Sequence, residues 1–455
     1  MTDEAAEGIL SPRYRAMSIG VLMSVTIVAF QSLGVGTAMP DVARELGGLG
    51  SYGWAFSAFM LASVVGSVAA GGDADRHGPL RAYLAAIAAF AAGSVLAAAS
   101  WSWGALLAGR ALEGLGSGAL GVVTYASASR AYPPEMYGRM LALMSSAWVL
   151  PSLAGPALAG VIAETTTWRW VFVFLLPFLP VAVLLTRPGL AALGAAAGDG
   201  GSRPLSLRRA GVLAAGLAGF LAALELDSPV AAVLLAAVGG ALALPALRAL
   251  LPAGTLRAAR GLPSGILVRG LLAVAFLGCD AFMPLALTEL QGFSLTEAGI
   301  VISIASLSWS VGSFVQAGLD RRDRGAGRRL RLQVGLAVLL CGIAVTGAGL
   351  FGSGGGIVAG VGWTIAGFGI GMGYASVGAL VLSQAPGGGE GAVSAGLQLI
   401  ETISIALFAG LGGVLVALGI EHGSDLRGAL AAIVAAAGAA AAAGLLIARR
   451  AGDAR

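Results

Sequence analysis

Fourteen long apolar runs dominate this chain, and their length limits what it can fold into. Each run is 17 to 29 residues long. A helix needs about 20 apolar residues to cross a bilayer, whereas the strands of a membrane barrel alternate apolar and polar residues over about 10. We therefore predict an all-α polytopic membrane protein with fourteen transmembrane helices. The runs are 16–39, 53–73, 82–100, 103–125, 140–163, 169–187, 210–226, 229–247, 267–289, 298–319, 332–351, 357–385, 392–420 and 428–448.

The composition agrees with a bilayer and excludes several other classes of protein. Charged residues are 11% of the chain, against roughly 25% in soluble domains. There is no lysine, so the phosphate-binding loop of nucleotide-hydrolysing pumps is absent. The two cysteines lie in apolar runs and the two histidines are far apart in sequence. We expect no disulfide framework, no metal site, no nucleic-acid partner and no enzyme activity.

The arginines predict how the chain is oriented in the membrane. With fourteen spans, 23 of the 27 arginines fall on the side that carries both termini, and three fall on the other side. This count places Arg269, at the start of the ninth run, among the loop arginines. Because positive loops stay inside, we expect both termini to be cytoplasmic and the protein to lie in the inner membrane.

The chain contains an internal repeat. Gly114, Gly116 and Gly118 in the fourth run match Gly369, Gly371 and Gly373 in the twelfth at an offset of 255. Two pseudo-symmetric six-helix bundles are therefore expected, at 1–187 and 265–455, with linkers and a two-helix insert at 188–264. Internal repeats are typical of secondary transporters, although small residues that permit close packing could also produce this match.

The loop between the second and third runs resembles a motif of the major facilitator superfamily. Gly71, Asp75, Arg76 and Gly78 match its G-x-x-x-D-R-x-G-R-[KR] pattern, and Arg81 is the nearest substitute for the final basic pair. In that family the loop makes charge–helix contacts that hold the two halves in the outward-facing state. A turn with topogenic charges is the simpler interpretation.

Three further segments resemble the fourteen-helix drug:proton antiporters of this superfamily. Arg110 and the following residues are similar to the R-x-x-Q-G motif, whose arginine takes part in proton coupling. Gly155, Pro156 and Gly160 fit most of G-P-x-x-G-G, which in these exporters forms a closely packed helix between the halves. Residues 168–172 match W-R-W-x-F. The resemblance covers most of the N-terminal half, and only the layout of the C-terminal half.

One departure from the antiporter pattern concerns an acidic residue. The family's helix-one aspartate lies nine residues before a proline, and here that position is Gln31, counted from Pro40. The glutamine that the family has in helix four is replaced here by Glu113. We interpret this as an exchange of acid and amide between two helices that line the same cavity, although coincidental substitution is an alternative.

Four charges lie well inside the runs, and charged groups at such depth mark pathways or coupling sites by default. Arg110 and Glu113 are three residues apart and can pair, either as a static ion pair or as a proton switch. Asp280 could be a second proton site or a counter-charge for a cationic substrate. Glu401 could be a third acid or could hydrogen-bond a neighbouring helix.

A set of polar, aromatic and methionine side chains in the same runs could line a substrate cavity. Ordinary helix packing is the simpler interpretation for each aromatic or methionine. The candidates are Gln31, Tyr125, Phe276, Met283, Trp309, Tyr374 and Gln398.

The resemblance implies an exporter that works by alternating access and exchanges lipophilic or amphiphilic small molecules for protons. We expect no cofactor apart from the proton as coupling ion, a small-molecule or lipid-like substrate, contact with membrane lipids, and a monomer. The alternatives are a proton-coupled uptake symporter or a dedicated lipid or metabolite carrier on the same fold.

Overall fold

The regular secondary structure of the described part of the chain is helical, with no strands. The structure, a computed structural model, describes residues 8–195, 207–226, 228–386, 389–421 and 426–452. The N-terminal half contains α1 (Arg15–Glu45), α2 (Trp54–His77), α3 (Pro79–Ala98), α4 (Trp103–Ala131), α5 (Pro134–Ser146), α6 (Val149–Thr165), α7 (Trp168–Val173) and α8 (Leu179–Leu193). The insert contains α9 (Leu207–Ala223) and α10 (Pro229–Leu250). The C-terminal half contains α11 (Leu262–Ala273), α12 (Met283–Gln291), α13 (Leu295–Asp323), α14 (Arg328–Phe351), α15 (Gly355–Leu382), α16 (Glu390–Glu421) and α17 (Leu426–Ala448).

Thirteen segments of the described chain are long and apolar enough to cross a bilayer. Three of them combine two helices each: α5 with α6, α7 with α8, and α11 with α12. The remaining predicted span is α9, whose 17 residues extend about 26 Å, slightly less than the hydrocarbon thickness. The linker residues 196–206 lie outside the described part of the chain.

Consecutive spans run in opposite directions, so the bundle has two distinct ends. We call the end that holds the start of α1 and the end of α17 the terminal face, and the opposite end the distal face. At the terminal face the hydroxyls of Ser18, in α1, and Tyr132, after α4, share a hydrogen bond of 2.7 Å. The loop between α1 and α2 lies at the distal face.

The glycines of the internal repeat contact equivalent neighbours in the two halves, but in a register different from the predicted one. A Cβ at Gly114 would lie 2.1 Å from the carbonyl oxygen of Phe59 in α2, and one at Gly118 would lie 2.0 Å from that of Ser63. In the C-terminal half, Gly367 and Gly371 approach the carbonyls of Ala305 and Trp309 in α13 in the same way, at 2.2 and 2.1 Å.

Gly116 faces the other neighbour, α3, just as Gly369 faces α14. The structural offset is therefore 253, and the offset of 255 read from the sequence is wrong. Glycines recur at every second position in both helices, whichever neighbour each one faces. The sequence alone therefore does not distinguish two alignments of the helices that differ by two residues.

The insert forms a hairpin that contacts both halves. Leu213 and Leu217 of α9 pack with Leu61 of α2 and with Ile403 and Ala406 of α16. At the distal end of the hairpin, the Trp54 indole donates a 2.8 Å hydrogen bond to Glu225, just after α9. The hairpin therefore lies over the line where α2 meets α16.

The close approach of α4 to α2 predicts opposite effects for two alanine substitutions in one helix. Gly118→Ala places a methyl against backbone and should lower the free energy of unfolding by about 1–3 kcal/mol. Gly121→Ala has no neighbouring atom within 4 Å and should leave it unchanged or raise it by up to about 1 kcal/mol, because alanine favours helix. Unfolding of both variants in detergent micelles measures this difference, and equal effects would contradict the packing described here.

Candidate functional site

Glu113 is fully buried and accepts hydrogen bonds from three side chains. Its Oε1 accepts from Gln31 Nε2 at 2.9 Å and from Ser94 Oγ at 2.6 Å, and its Oε2 accepts from Arg110 Nη1 at 2.6 Å. Glu113 is 0% exposed and Arg110 only 3% exposed. This network joins α1, α3 and α4 around one carboxylate.

Arg110 also connects this network to α2. Its Nε donates to the carbonyl oxygen of Ala55 at 3.1 Å, and its guanidinium carbon lies 4.4 Å from the centre of the Phe59 ring. A cation over an aromatic face is attracted to it, and more strongly where water is excluded. The four helices α1, α2, α3 and α4 therefore meet at the Arg110–Glu113 pair.

The exchange hypothesis for Gln31 and Glu113 required the two side chains to share a pocket, and they are in direct contact. The amide of Gln31 also donates to the carbonyl oxygen of Phe172 at 3.2 Å, which fixes its orientation. Ser94 is a participant that the sequence did not suggest. Its neighbour Gly93 provides the only signal, because a Cβ there would lie 2.4 Å from the backbone nitrogen of Glu113, so α3 can approach α4 only at a glycine.

Asp280 lies where the ninth span is interrupted. A π-helical turn at Val274–Gly278 separates α11 from α12, and Pro284 lies in the first turn of α12. Proline has no N–H to continue the helix and crowds the carbonyl four residues earlier, which here belongs to Asp280. The carboxylate accepts a 2.8 Å hydrogen bond from the indole of Trp363, and no basic group pairs with it among the described residues.

A continuous series of aromatic contacts extends from Asp280 to Glu401. The ring of Phe276 stacks on Trp363 at 4.7 Å and meets Trp309 edge-on at 5.6 Å, and Trp309 meets Tyr374 at 5.1 Å. These are the offset and edge-to-face geometries that aromatic pairs favour. Trp363 occupies the position equivalent to Arg110 in the repeat, so the same place in the fold is basic in one half and aromatic in the other.

Glu401 pairs with Arg269, which corrects the sequence-based placement of that arginine. Arg269 lies two turns into α11 rather than in a loop, because α11 begins at Leu262, before the predicted run. Its Nε donates to Glu401 Oε2 at 2.8 Å, and Tyr374 donates to the same carboxylate at 3.0 Å. The sequence does not indicate this pairing, because a charge near the end of an apolar run resembles a topogenic loop charge.

The remaining cavity candidates form two groups, one buried and one exposed to solvent-accessible space. Phe276 and Met283 are buried at 3% and 1% exposure, so they pack in the core of the C-terminal half in this conformation. Tyr125 is 44% exposed, Gln398 is exposed, and Trp309 and Tyr374 are partly exposed. The phenols of Tyr125 and Tyr374 are near enough to interact electrostatically across the two halves. These side chains therefore face the space between the halves at the terminal face.

The turn of the loop motif has the expected conformation, but the motif's acid, Asp75, has no ion-pair partner among the described residues. Gly78 has φ of +85°, a left-handed conformation that glycine adopts readily, and Gly71 packs against α4. Asp75 and Arg76 are exposed, and no ion pair of the described residues includes them. Arg81 lies 3.6 Å from Asp73, which also pairs with His77. Within the described chain, no ion pair of Asp75 or Arg76 therefore holds this loop in the conformation seen here.

The two halves are joined near the distal face. Arg44 in α1 pairs with Glu289 in α12 at 2.8 Å, and Glu164 in α6 accepts from the backbone nitrogen of Thr296 at 2.9 Å. The hydroxyl of Tyr52 donates to the carbonyl of Ala281 at 3.2 Å. Within the described chain, every hydrogen bond between the halves lies in the distal part of the bundle or near its middle.

The segment around Gly155, Pro156 and Gly160 forms part of this contact. A Cβ at Gly160 would lie 2.5 Å from the carbonyl of Leu295 in α13, and one at Gly299 would lie 2.3 Å from that of Pro156. Gly155 faces Phe30 of α1. The close-packed helix expected from the antiporter motif therefore lies at the interface between the halves.

The buried pair in α4 predicts a strongly non-additive effect on stability. Arg110→Leu leaves the Glu113 charge buried without its partner and should lower the free energy of unfolding by about 3–5 kcal/mol. The double variant Arg110→Leu, Glu113→Leu removes both charges and should recover most of that loss. Unfolding of the two variants in the same detergent tests this, and a double variant no more stable than the single one would show that the pair is not coupled.

Comparisons of sequence agree with these features. Residues 21–409 match the profile of the Major Facilitator Superfamily. A protein of Mycobacterium tuberculosis strain H37Rv named as a probable multidrug-efflux transporter is 30% identical over 209 residues, which is 45% of this chain and 44% of that protein. Multidrug resistance protein 3 of Bacillus subtilis is 29% identical over 159 residues, 35% of this chain and 31% of that protein. The matched region spans less than half the length of these curated relatives.

Solved structures share the fold at low sequence identity. The POT family transporter PepTSo superposes with a TM-score of 0.69 at 15% identity, over 96% of this chain and 98% of that one. The nucleoside transporter NupG gives 0.68 at 13% identity, over 95% and 99%. Since the family profile covers most of the sequence and its fold is that of the described helices, this integral membrane protein belongs to the Major Facilitator Superfamily.

Proposed function

We propose that this transporter exports lipophilic or amphiphilic small molecules across the cytoplasmic membrane in exchange for protons. Two relatives are named as multidrug-efflux or multidrug-resistance proteins, which supports export of such compounds. The distribution of arginines supports a cytoplasmic terminal face. With the distal contacts formed and the loop motif unpaired, the conformation described here is the one that takes up substrate from the cytoplasmic side.

The single observation that carries the proton-coupling proposal is the environment of Glu113. Its ionised form holds Gln31, Ser94 and Arg110 together, and hydrogen bonds to a charged group are about twice as strong as neutral ones. A proton on Glu113 removes that charge and weakens the attachment of α1 to α4. Protonation therefore changes how firmly the helices of this half are held.

α1 connects this acid to the distal contact. Gln31 and Arg44 lie in the same helix, 13 residues or about 20 Å apart. When Glu113 gains a proton, α1 is freer to shift, and the Arg44–Glu289 pair at its far end can separate. Exchange of substrate for a proton requires Glu113 to take up its proton while the distal face is open and to give it up while the terminal face is open. Ionised Glu113 and the closed Arg44–Glu289 contact then belong to the same conformation.

Among the acids inside the described spans, Asp280 has no basic partner, and we assign it a supporting role. A partly buried carboxylate inside a membrane span is costly without a counter-charge, so a proton or the cationic group of a substrate would complement Asp280. Its position beside Phe276 and Trp363 allows an aromatic substrate to stack nearby.

The exchange of protons can be measured in inside-out vesicles with an acidified lumen. Adding a panel of cationic, neutral and lipid-like compounds should trigger proton release with the natural protein, and Glu113→Gln should abolish it because its side chain cannot ionise. Glu225→Gln is the matched control, since that acid lies on the insert and should leave release unchanged. Movement of protons into the lumen on adding a compound would instead support a symporter. No proton movement, in vesicles shown to contain folded protein, would favour a dedicated lipid or metabolite carrier.

Closure of the distal face can be blocked without changing any charge. Gly160→Leu would collide with the backbone of α13 and should stop transport while the protein stays folded. Gly104→Leu, at the distal end of α4, has no neighbouring atom within 4 Å and should transport normally. Transport by Gly160→Leu at the natural rate would show that this contact is not needed in the cycle.

A further inference from the structure

The Arg269–Glu401–Tyr374 cluster has no part in the coupling scheme above, although it is polar, nearly buried and close to the substrate route. Arg269 and Glu401 each have 11% of the side chain exposed. The cluster lies about 10 Å inside the terminal face, since Arg269 is seven residues from the start of α11.

Two exposed side chains show that this cluster borders the space between the halves. Gln398 precedes Glu401 by almost one helical turn on the terminal side. Tyr125, from the opposite half, lies near Tyr374 and is 44% exposed. A compound that enters from the terminal face therefore meets this cluster before it reaches Asp280.

The guanidinium of Arg269 is held in place on two sides and bound to a carboxylate on the third. Its central carbon lies 3.1 Å from the centre of the Tyr374 ring, and Nη1 donates to the carbonyl of Tyr374 at 3.3 Å. Nε donates to Glu401. A fixed guanidinium that already binds a carboxylate has the geometry needed to bind the carboxylate, sulfonate or phosphate of a ligand.

We propose that this cluster is a subsite for the anionic group of an amphiphilic substrate, which replaces Glu401 on Arg269 when Glu401 takes up a proton. The exchange keeps the charge of the site balanced, because the proton neutralises Glu401 as the substrate brings its own negative charge. The partly exposed rings of Trp309 and Tyr374 supply an apolar wall beside the guanidinium. The inference rests on the proposed function in one respect: it takes the space between the halves at the terminal face as the route of the substrate.

Two polar side chains face Glu401 directly. They are Arg269 from α11 and Tyr374 from α15, with Tyr125 beyond Tyr374. Leu61 in α2, Leu217 in α9 and Ile433 in α17 also pack on α16, and the Ser57 hydroxyl of α2 donates to the carbonyl of Ala406. Binding of an anion should therefore strengthen as the pH falls and Glu401 becomes protonated.

Three probes with the same ring system test the charge preference. 2-Naphthalenesulfonate, 2-naphthalenemethanol and 2-naphthylmethylammonium are titrated into the full-length protein in nanodiscs at pH 5.5 and 7.5. We expect the sulfonate to bind more tightly than the alcohol, and more tightly at pH 5.5. The sulfonate keeps its charge at both values, so a change in its affinity reports on the protein.

Variants then assign the effect to the cluster. Arg269→Gln should weaken sulfonate binding about tenfold to a hundredfold while leaving the alcohol unaffected. Glu401→Gln should bind the sulfonate tightly at both pH values. Arg130→Gln, which alters an arginine bound to backbone carbonyls at the end of α8, is the matched control. Melting temperatures in the nanodiscs confirm that each variant is folded.

The outcomes separate this inference from the proposed function. Equal affinity for sulfonate and alcohol, tight sulfonate binding by Arg269→Gln, or natural pH dependence in Glu401→Gln would each overturn the anionic subsite. These binding results do not decide whether Glu113 couples transport to protons, which the vesicle assay with neutral and cationic compounds tests separately. Conversely, a transporter that binds the sulfonate as expected but releases no protons would retain the subsite and lose the coupling proposal.

Discussion

The exclusion of water from the bilayer core is the constraint on which this structure depends. An ionised side chain there must find its partner within the protein. In the N-terminal half this requirement draws α1, α2, α3 and α4 onto Arg110 and Glu113. In the C-terminal half it ties α11, α15 and α16 together through Arg269 and Glu401. The helices can slide on apolar surfaces, but these pairs fix where they meet.

The halves share a backbone plan and use it for different chemistry. Glycines at equivalent positions bring α4 and α15 equally close to their neighbours. The position that is Arg110 in one half is Trp363 in the other, and both side chains contact an acid. One half therefore holds its carboxylate with charge, and the other holds Asp280 with an aromatic ring. At this equivalent position the two halves therefore present different chemistry to a ligand.

Much of the fold could be predicted from the sequence because bilayer thickness sets the length of a span and glycine spacing marks close contact. The meeting of Gln31 with Glu113 was also predictable, since it followed from a matched motif and a fixed distance to Pro40. Ser94 and the pairing of Arg269 were not, because they depend on which faces of distant helices meet. The interruption of the helix at Asp280 could be predicted only in part. Pro284 indicates a break in the helix, but the hydrogen-bond partner of Asp280, Trp363, is 83 residues away in the sequence.

The α9–α10 hairpin makes the two flanks of the transporter unequal. On one flank α9 covers the line between α2 and α16 with leucine side chains from Leu213 to Leu221. The other flank, where α6 meets α13, has no such cover in the described chain. A compound dissolved in the surrounding lipid consequently finds one side shielded and the other bare, so the direction of lateral approach is set by an element outside the repeat.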